Sequence, residues 1–269
     1  MTSDATQPTR IGPEHGALLL AGGGDLDDTF WDVFFDLAGG KDSPVIVLPT
    51  ALETVPEDHS GLGLVFLRNL GATDLTVLHT RDRDEADSEA FVEPLQRARA
   101  VWITGGRQWR LADSYLGTRT EQELHALLAR GGVIGGTSAG ATIQGSYLAR
   151  GDTRTNTIMM GDHEQGFGFL KDVAVDQHVL ARNRHFDLLE IVQARPELLG
   201  LGIDEDTAVL VRGDRLQVLG HSYVAITDHG TVLDNGAPFY FLGPGDELDL
   251  VTRKALRSDG TRVERVEHR

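Results

Sequence analysis

The 269-residue chain contains no cysteine. That excludes a disulfide scaffold, a thiolate metal site and a cysteine nucleophile. Basic residues are also in short supply: 25 Lys and Arg stand against 41 Asp and Glu, a formal net charge of -16. Binding nucleic acid through its phosphates needs a basic surface, which this composition does not provide. The same acidity favours the approach of cationic ligands through long-range steering. No run approaches the roughly 18 apolar residues of a membrane span. The first residues, MTSDATQPTRIGPEHG, have no apolar stretch of the signal-peptide kind. A cytoplasmic protein that engages neither nucleic acid nor membrane is the expectation.

What is present is an ordinary globular composition, 40% hydrophobic and 25% charged, in a chain long enough to bury a substantial core. Residues 1–16 read as a polar, flexible arm, and residues 17–269 as one domain without linker or internal repeat. Short apolar runs alternate with amphipathic ones through the first half. Ala17–Ala21, Pro44–Pro49, Leu75–Leu78, Ala100–Ile103 and Gly132–Gly135 read as strands, with helical patterns over Asp27–Leu37, Leu62–Leu70, Arg107–Leu116 and Glu121–Arg130. Continuous rather than alternating apolar runs are what strands need when both faces are covered. The chain is therefore expected to be α/β, with a mostly parallel sheet flanked by helices. The charged stretch Thr80–Ala90 reads as a solvated loop leading into a helix. After about residue 204 short strands, separated by Gly, Asp and Asn turns, read as β-hairpins added to the edge of that same sheet.

One segment carries chemistry. Gly136-Thr137-Ser138-Ala139-Gly140 fits Gly-x-Ser-x-Gly, with an apolar strand before it and a helix-compatible ATIQGSYLA following on. Small neighbours let the chain turn sharply from strand to helix and lift the serine hydroxyl clear. The plain alternative is a glycine-rich turn with a capping serine. The backbone N–H of Ala139 is the natural first donor to an oxyanion at Ser138. A second glycine turn, Thr104 to Gln108, ends the preceding strand. Neighbouring strand ends of a parallel sheet share a crevice, so Gly106 or Arg107 is placed to give the second donor, with Gln108 on the substrate.

A serine nucleophile needs a histidine, and the histidine a carboxylate. Of the ten histidines, His178 stands apart, because there an apolar strand-like run meets Asp176 and Gln177 and precedes Arg182 and Arg184. For the carboxylate, Glu205 stands before an apolar strand, and Asp152 and Asp204 compete with it. Spacing does not choose among the three.

Several segments together resemble the cyanophycinase and peptidase E family of serine peptidases, and more closely cyanophycinase. They are GGG at 22–24, TGGRQ at 104–108, GGTSAGA at 135–141, GFGFL at 166–170, DQH at 176–178 and GLGIDEDTA at 200–208, in the family's order. The resemblance implies a fold like that of class I glutamine amidotransferases, flavodoxin-like, with serine as nucleophile. It implies a triad of Ser138, His178 and Glu205, with Asp152 as fallback acid. It puts Gln108, Asp176, Gln177, Arg182 and Arg184 around a peptide substrate, and implies a homodimer with no metal or organic cofactor. Short acidic or β-aspartyl peptides are the implied substrates. The chain departs from the family at Arg107, where an acidic residue is usual, and at Asp187, where a third arginine is usual. Replacing a cation by an anion inverts the field beside the substrate and removes a forked donor to carboxylates, which weighs against cyanophycin itself. Two other readings use the same segment: an α/β-hydrolase esterase with His221 or His229 as base, and an inactive binding protein on the same fold.

Overall fold

The computed structural model describes residues 10–233, 236–263 and 266–267, with 231–232 and 266–267 described by their backbone alone. The five apolar runs of the first half form its centre. Strands β1 (Ala17–Ala21), β2 (Val45–Leu48), β3 (Leu75–Val77), β4 (Ala100–Ile103) and β5 (Val133–Thr137) lie parallel in the order β3-β2-β4-β5-β1. Every residue of β1, β2 and β4 is buried, as strands covered on both faces must be.

Between the strands run α1 (Asp28–Ala38), α2 (Leu64–Asn69), α3 (Arg83–Ala86), α4 (Glu89–Arg97), α5 (Gln108–Tyr115) and α6 (Arg119–Ala129). The charged stretch after Thr80 thus contains a short helix and the start of another. Helix α1 shows why these boundaries fall where they do. The Asp27 side chain caps its start by accepting from the N–H of Phe30, and Gly39 at φ 95° ends it, a left-handed position suited to glycine. Its apolar face packs with Leu19 of β1 and Trp102 of β4 on one side of the sheet. Helices α4 to α6 join Leu18 and Leu20 on the other side.

Two features differ from the sequence reading. The helix expected after Ser138 is a single turn, α7 (Ala139–Thr142), and Gly145–Tyr147 (β6) is a strand. Glycine is a poor helix former, and a Cβ at Gly145 would lie 2.7 Å from the Val173 carbonyl oxygen, against which β6 packs. The Gln144 Nε2 also donates to the Gly140 carbonyl at 2.9 Å, closing the turn with a side chain.

The late strands do not all join the first sheet. β9 (Thr207–Arg212), β10 (Arg215–Gly220), β14 (Glu247–Asp249) and β15 (Lys254–Leu256) do extend it, antiparallel, from β1. A second, five-stranded sheet takes β6, β7 (Leu170–Gln177), β8 (Leu199–Ile203), β11 (Val224–Asp228) and β13 (Phe239–Leu242). Its order is β13-β11-β8-β7-β6. Val173, Val175 and Leu201 of this sheet pack into the core shared with Leu18, Leu20 and α4 to α6. Helix α8 (Leu188–Ala194) covers its outer face with Leu188 and Ile191. Backbone pairs β12 (Thr231–Val232) with β16 (Val266–Glu267).

Of the arm expected over 1–16, residues 1–9 lie outside the described residues. Ile11 and Gly12 are held to the domain, their N–H groups donating to Asp214 Oδ1 at 2.8 and 3.0 Å. No helix among the described residues is long and apolar enough to cross a membrane.

Candidate active site

Strand β5 delivers Ser138 at the C-terminal edge of the parallel sheet. Its backbone sits at φ 54°, ψ -113°, a conformation that non-glycine residues rarely adopt. The surroundings hold it there. The Ser138 N–H donates to the Ala21 carbonyl at 2.9 Å, and its own carbonyl accepts from Ala141 and Thr142 at 3.0 Å each. The flanking glycines are needed for close approach. A Cβ at Gly136 would lie 2.3 Å from the Gly140 oxygen, and one at Gly140 would lie 2.2 Å from the Ile103 oxygen.

The second sheet delivers the other two groups. β7 and β8 are parallel neighbours whose last paired residues are Gln177 and Ile203. His178 is one residue beyond the first, and Glu205 two beyond the second, so register alone places the two side chains at one sheet end. The contacts follow in line: Ser138 Oγ to His178 Nε2 at 2.9 Å, and His178 Nδ1 to Glu205 Oε1 at 2.5 Å. The His178 N–H donates to the Gly22 carbonyl at 3.0 Å.

Of the two rival carboxylates, neither faces the ring. Asp204 Oδ1 accepts from the N–H groups of Leu180 and Ala181 at 2.9 Å, and Oδ2 from Ser222 Oγ at 2.6 Å. It fastens the turn that follows His178. Asp152 is buried and accepts from the N–H groups of Arg154 and Thr155. His221, a candidate base in the esterase reading, is exposed with its Nε2 2.9 Å from Asp27 Oδ2, while the exposed His229 follows β11.

Burial holds the His178 pKa below the ordinary histidine value. Glu205 opposes this through its hydrogen bond, and the nearby charges of Arg182 and Arg184 act with burial. The ring is therefore neutral at pH 7 and able to accept a proton.

Gly23 closes over this ring. It sits at φ 125°, and a Cβ there would lie 2.1 Å from His178 Cε1. Gly23→Ala is expected to push the imidazole out of line and lower kcat about 100-fold. Near-native circular dichroism with reduced kcat is the expected observation; unchanged kcat would contradict the tight fit.

The remaining expected site residues divide. Among the described residues the N–H groups of Gly106 and of Ala139, next to Ser138 in the chain, have no backbone partner, whereas the Arg107 N–H donates to the Ala51 carbonyl at 2.8 Å. Arg107 is thereby corrected as an oxyanion donor. Its guanidinium instead donates to the Asp152 carbonyl at 2.7 Å. Gln108 is buried, and its Nε2 holds the Ala149 and Arg150 carbonyls at 2.7 and 3.1 Å. Gln177 Oε1 accepts from Arg184 Nη1 at 3.1 Å. Arg182 is exposed, and Arg184 is half-buried.

Asp176 and Asp187 share a partner that sequence reasoning missed. Arg150 is fully buried; it grips Asp176 with Nε at 2.8 Å and Nη2 at 3.0 Å. The same Nη2 donates to Asp187 Oδ2, and Nη1 to the Asn156 carbonyl at 2.8 Å. Asp187 therefore shares one cation with Asp176, a single positive charge set against two carboxylates. No pattern marks Arg150, because its partners lie 26 and 37 positions away.

Residues 18–219 match Peptidase family S51. The chain belongs to that peptidase family. Its S51 relatives include a cyanophycinase of Geminocystis herdmanii, 31% identical over 241 residues that span 83% of this chain and 88% of the other. A cyanophycinase of a Nostoc species is 35% identical over 242 residues, spanning 83% and 80%. A peptidase from an acI-B1 actinobacterium has the same fold, with a TM-score of 0.67 and 25% identity over 90% of this chain and 98% of that one. The fold is shared also by a putative peptidase E of Listeria monocytogenes, at a TM-score of 0.56 and 19% identity over 77% and 99%. The S51 match runs across both sheets, from β1 through β10.

Proposed function

We propose that this S51 member is a serine peptidase that hydrolyses amide bonds of short acidic or β-aspartyl peptides through an acyl-enzyme. The observation that carries the reading is the line of contacts from Ser138 Oγ through the His178 ring to Glu205. In the first step His178 Nε2 takes the hydroxyl proton while Oγ attacks the amide carbon. The oxyanion settles on the N–H groups of Ala139 and Gly106. His178 then gives its proton to the leaving nitrogen as the C–N bond breaks. Water attacks the ester with His178 again as base, and the acid product leaves with Ser138 restored. Glu205 orients the ring and stabilises its charged form.

Arg182 and Arg184 follow the base and supply the cations for a substrate carboxylate. In this reading Gln108 and Asp176 support the site rather than touch substrate, since the first holds backbone carbonyls and the second has both carboxylate oxygens bonded by Arg150. A dipeptide panel with α-Asp, β-Asp-Arg and neutral members tests this. Preferential hydrolysis of the acidic members is expected; equal rates on neutral peptides would contradict recognition by the arginines. The homodimer rests on the family resemblance, and sedimentation of the purified protein tests it.

The pH profile follows from the ring. His178 works as a base only when neutral, and its pKa is lowered. The acid limb of kcat/KM is expected below the ordinary histidine value of about 6.5. Arg182→Gln removes one cause of the lowering, so its limb is expected at higher pH. A limb unmoved, or moved to lower pH, would contradict this.

A further inference from the structure

A cavity of about 330 Å³ opens beside the candidate nucleophile, lined by Trp31, Leu62, Phe66 and Trp102. Its chemistry is unlike that of the arginine side of the site. Trp31 lies 4.7 Å from Trp102 and 5.5 Å from Phe66, ring centre to ring centre, and Trp31, Leu62 and Trp102 are buried. Trp31, Leu62 and Trp102 belong to the α1 side of the large sheet. Arg182 and Arg184 follow β7 of the second sheet, which packs on the opposite side.

The cavity shares its wall with the reacting groups. Thr137 and Gly24 line it. Thr137 immediately precedes Ser138, and a Cβ at Gly24 would lie 3.0 Å from Glu205 Cβ. Asp25, also on the lining, is exposed and anchored by its N–H to Asp206 Oδ1 at 2.7 Å. A carboxylate there disfavours an acidic side chain in the cavity. The Coulomb term therefore reinforces the apolar lining in keeping acidic residues on the arginine side.

We propose that this cavity is a specificity pocket for an aromatic side chain of the peptide. The substrate then carries a carboxylate held by Arg182 and Arg184 and an aromatic residue next to the scissile bond. The pocket volume is at the lower end of the usual small-ligand range, roughly 300–1,000 Å³, which suits one ring rather than an extended chain. Edge-on aromatic neighbours add to what burial of the ring provides. The proposal rests on the peptidase reading above.

The test uses binding as well as turnover. Asp-Phe and Phe-Asp are compared with Asp-Gly and Gly-Asp, by calorimetry on the Ser138→Ala protein and by hydrolysis with the unaltered protein. At least one Phe peptide is expected to bind about 10-fold or more tightly than its Gly counterpart, with a similar ratio in kcat/KM. Phe66→Ala, at a 45% exposed position that tolerates truncation, is expected to reduce that ratio several-fold. Leu26→Trp, which fills the cavity from its rim, is expected to abolish it. Equal affinity for Phe and Gly peptides in the Ser138→Ala protein would overturn the pocket. If Asp-Gly is hydrolysed and the Phe peptides show no preference, the pocket fails while the peptidase reading stands. If Phe peptides bind preferentially but no peptide is hydrolysed, the peptidase reading fails and the pocket stands.

Discussion

Replacing Ser138 with alanine is expected to lower peptide turnover by about 10⁵-fold or more, with a thermal midpoint within about 2 °C of the parent. The effect is that large because, in the proposed mechanism, the hydroxyl oxygen forms the covalent bond to the substrate. Oxyanion donors and substrate binding survive the change and leave a small residual rate. Stability is spared for a local reason. Among the described residues the side chain of Ser138 hydrogen-bonds with His178 Nε2 alone, and the backbone bonds that hold its unusual conformation are made by its N–H and C=O. Steady-state rates with circular dichroism and a melting curve on the same sample check both halves. Turnover within 10-fold of the parent would remove Ser138 as nucleophile.

Arg150→Ala is expected to have the largest effect on stability, about 3–5 kcal/mol, or a midpoint lower by about 10 °C. Both partners of the Arg150–Asp176 pair are almost wholly buried, with side chains 2% and 1% exposed. Truncating the arginine leaves the Asp176 carboxylate without its cation in a place water does not reach, and that desolvation sets the size of the loss. Asp187→Asn is expected to cost much less, since the Asp187 side chain is 36% exposed and solvent screens its charge. Denaturant midpoints for the two variants separate these cases. Equal losses would mean that the network is held through Asp187 rather than through Asp176. The position matters for the site as well, because Asp176 lies two residues before His178 on β7, and a loosened strand end would misplace the ring.

The central strands were readable from residues 17–137 because each is a continuous apolar run bounded by glycine or polar residues. The late strands were readable as strands but not as members of a particular sheet. Ala208–Val211 and Val224–Asp228 carry similar patterns, and such a pattern says that a strand is covered without naming its neighbour. The helix expected after Ser138 failed at Gly145, where backbone approach to Val173 overrode a locally helix-compatible sequence. Ser138 was marked by its glycines and His178 by the polar end of an apolar run. Glu205 could not be told from Asp152 and Asp204 by spacing. The pairing of Gln177 with Ile203 sets Glu205 apart from Asp152, and the bonds of Asp204 to Leu180, Ala181 and Ser222 leave Glu205 as the acid on the ring; no linear motif records either. The Arg107 N–H reads as free because it lies in a glycine turn, whereas the Ala51 carbonyl, distant in sequence, accepts from it.

In the proposed mechanism Ser138 is an activated nucleophile served by His178. Labelling with a fluorophosphonate, followed by mass spectrometry of the digested protein, tests this. One adduct is expected, on the peptide containing Ser138, formed slowly or not at all in His178→Ala. An unlabelled native protein, or an adduct on any other residue, would contradict it.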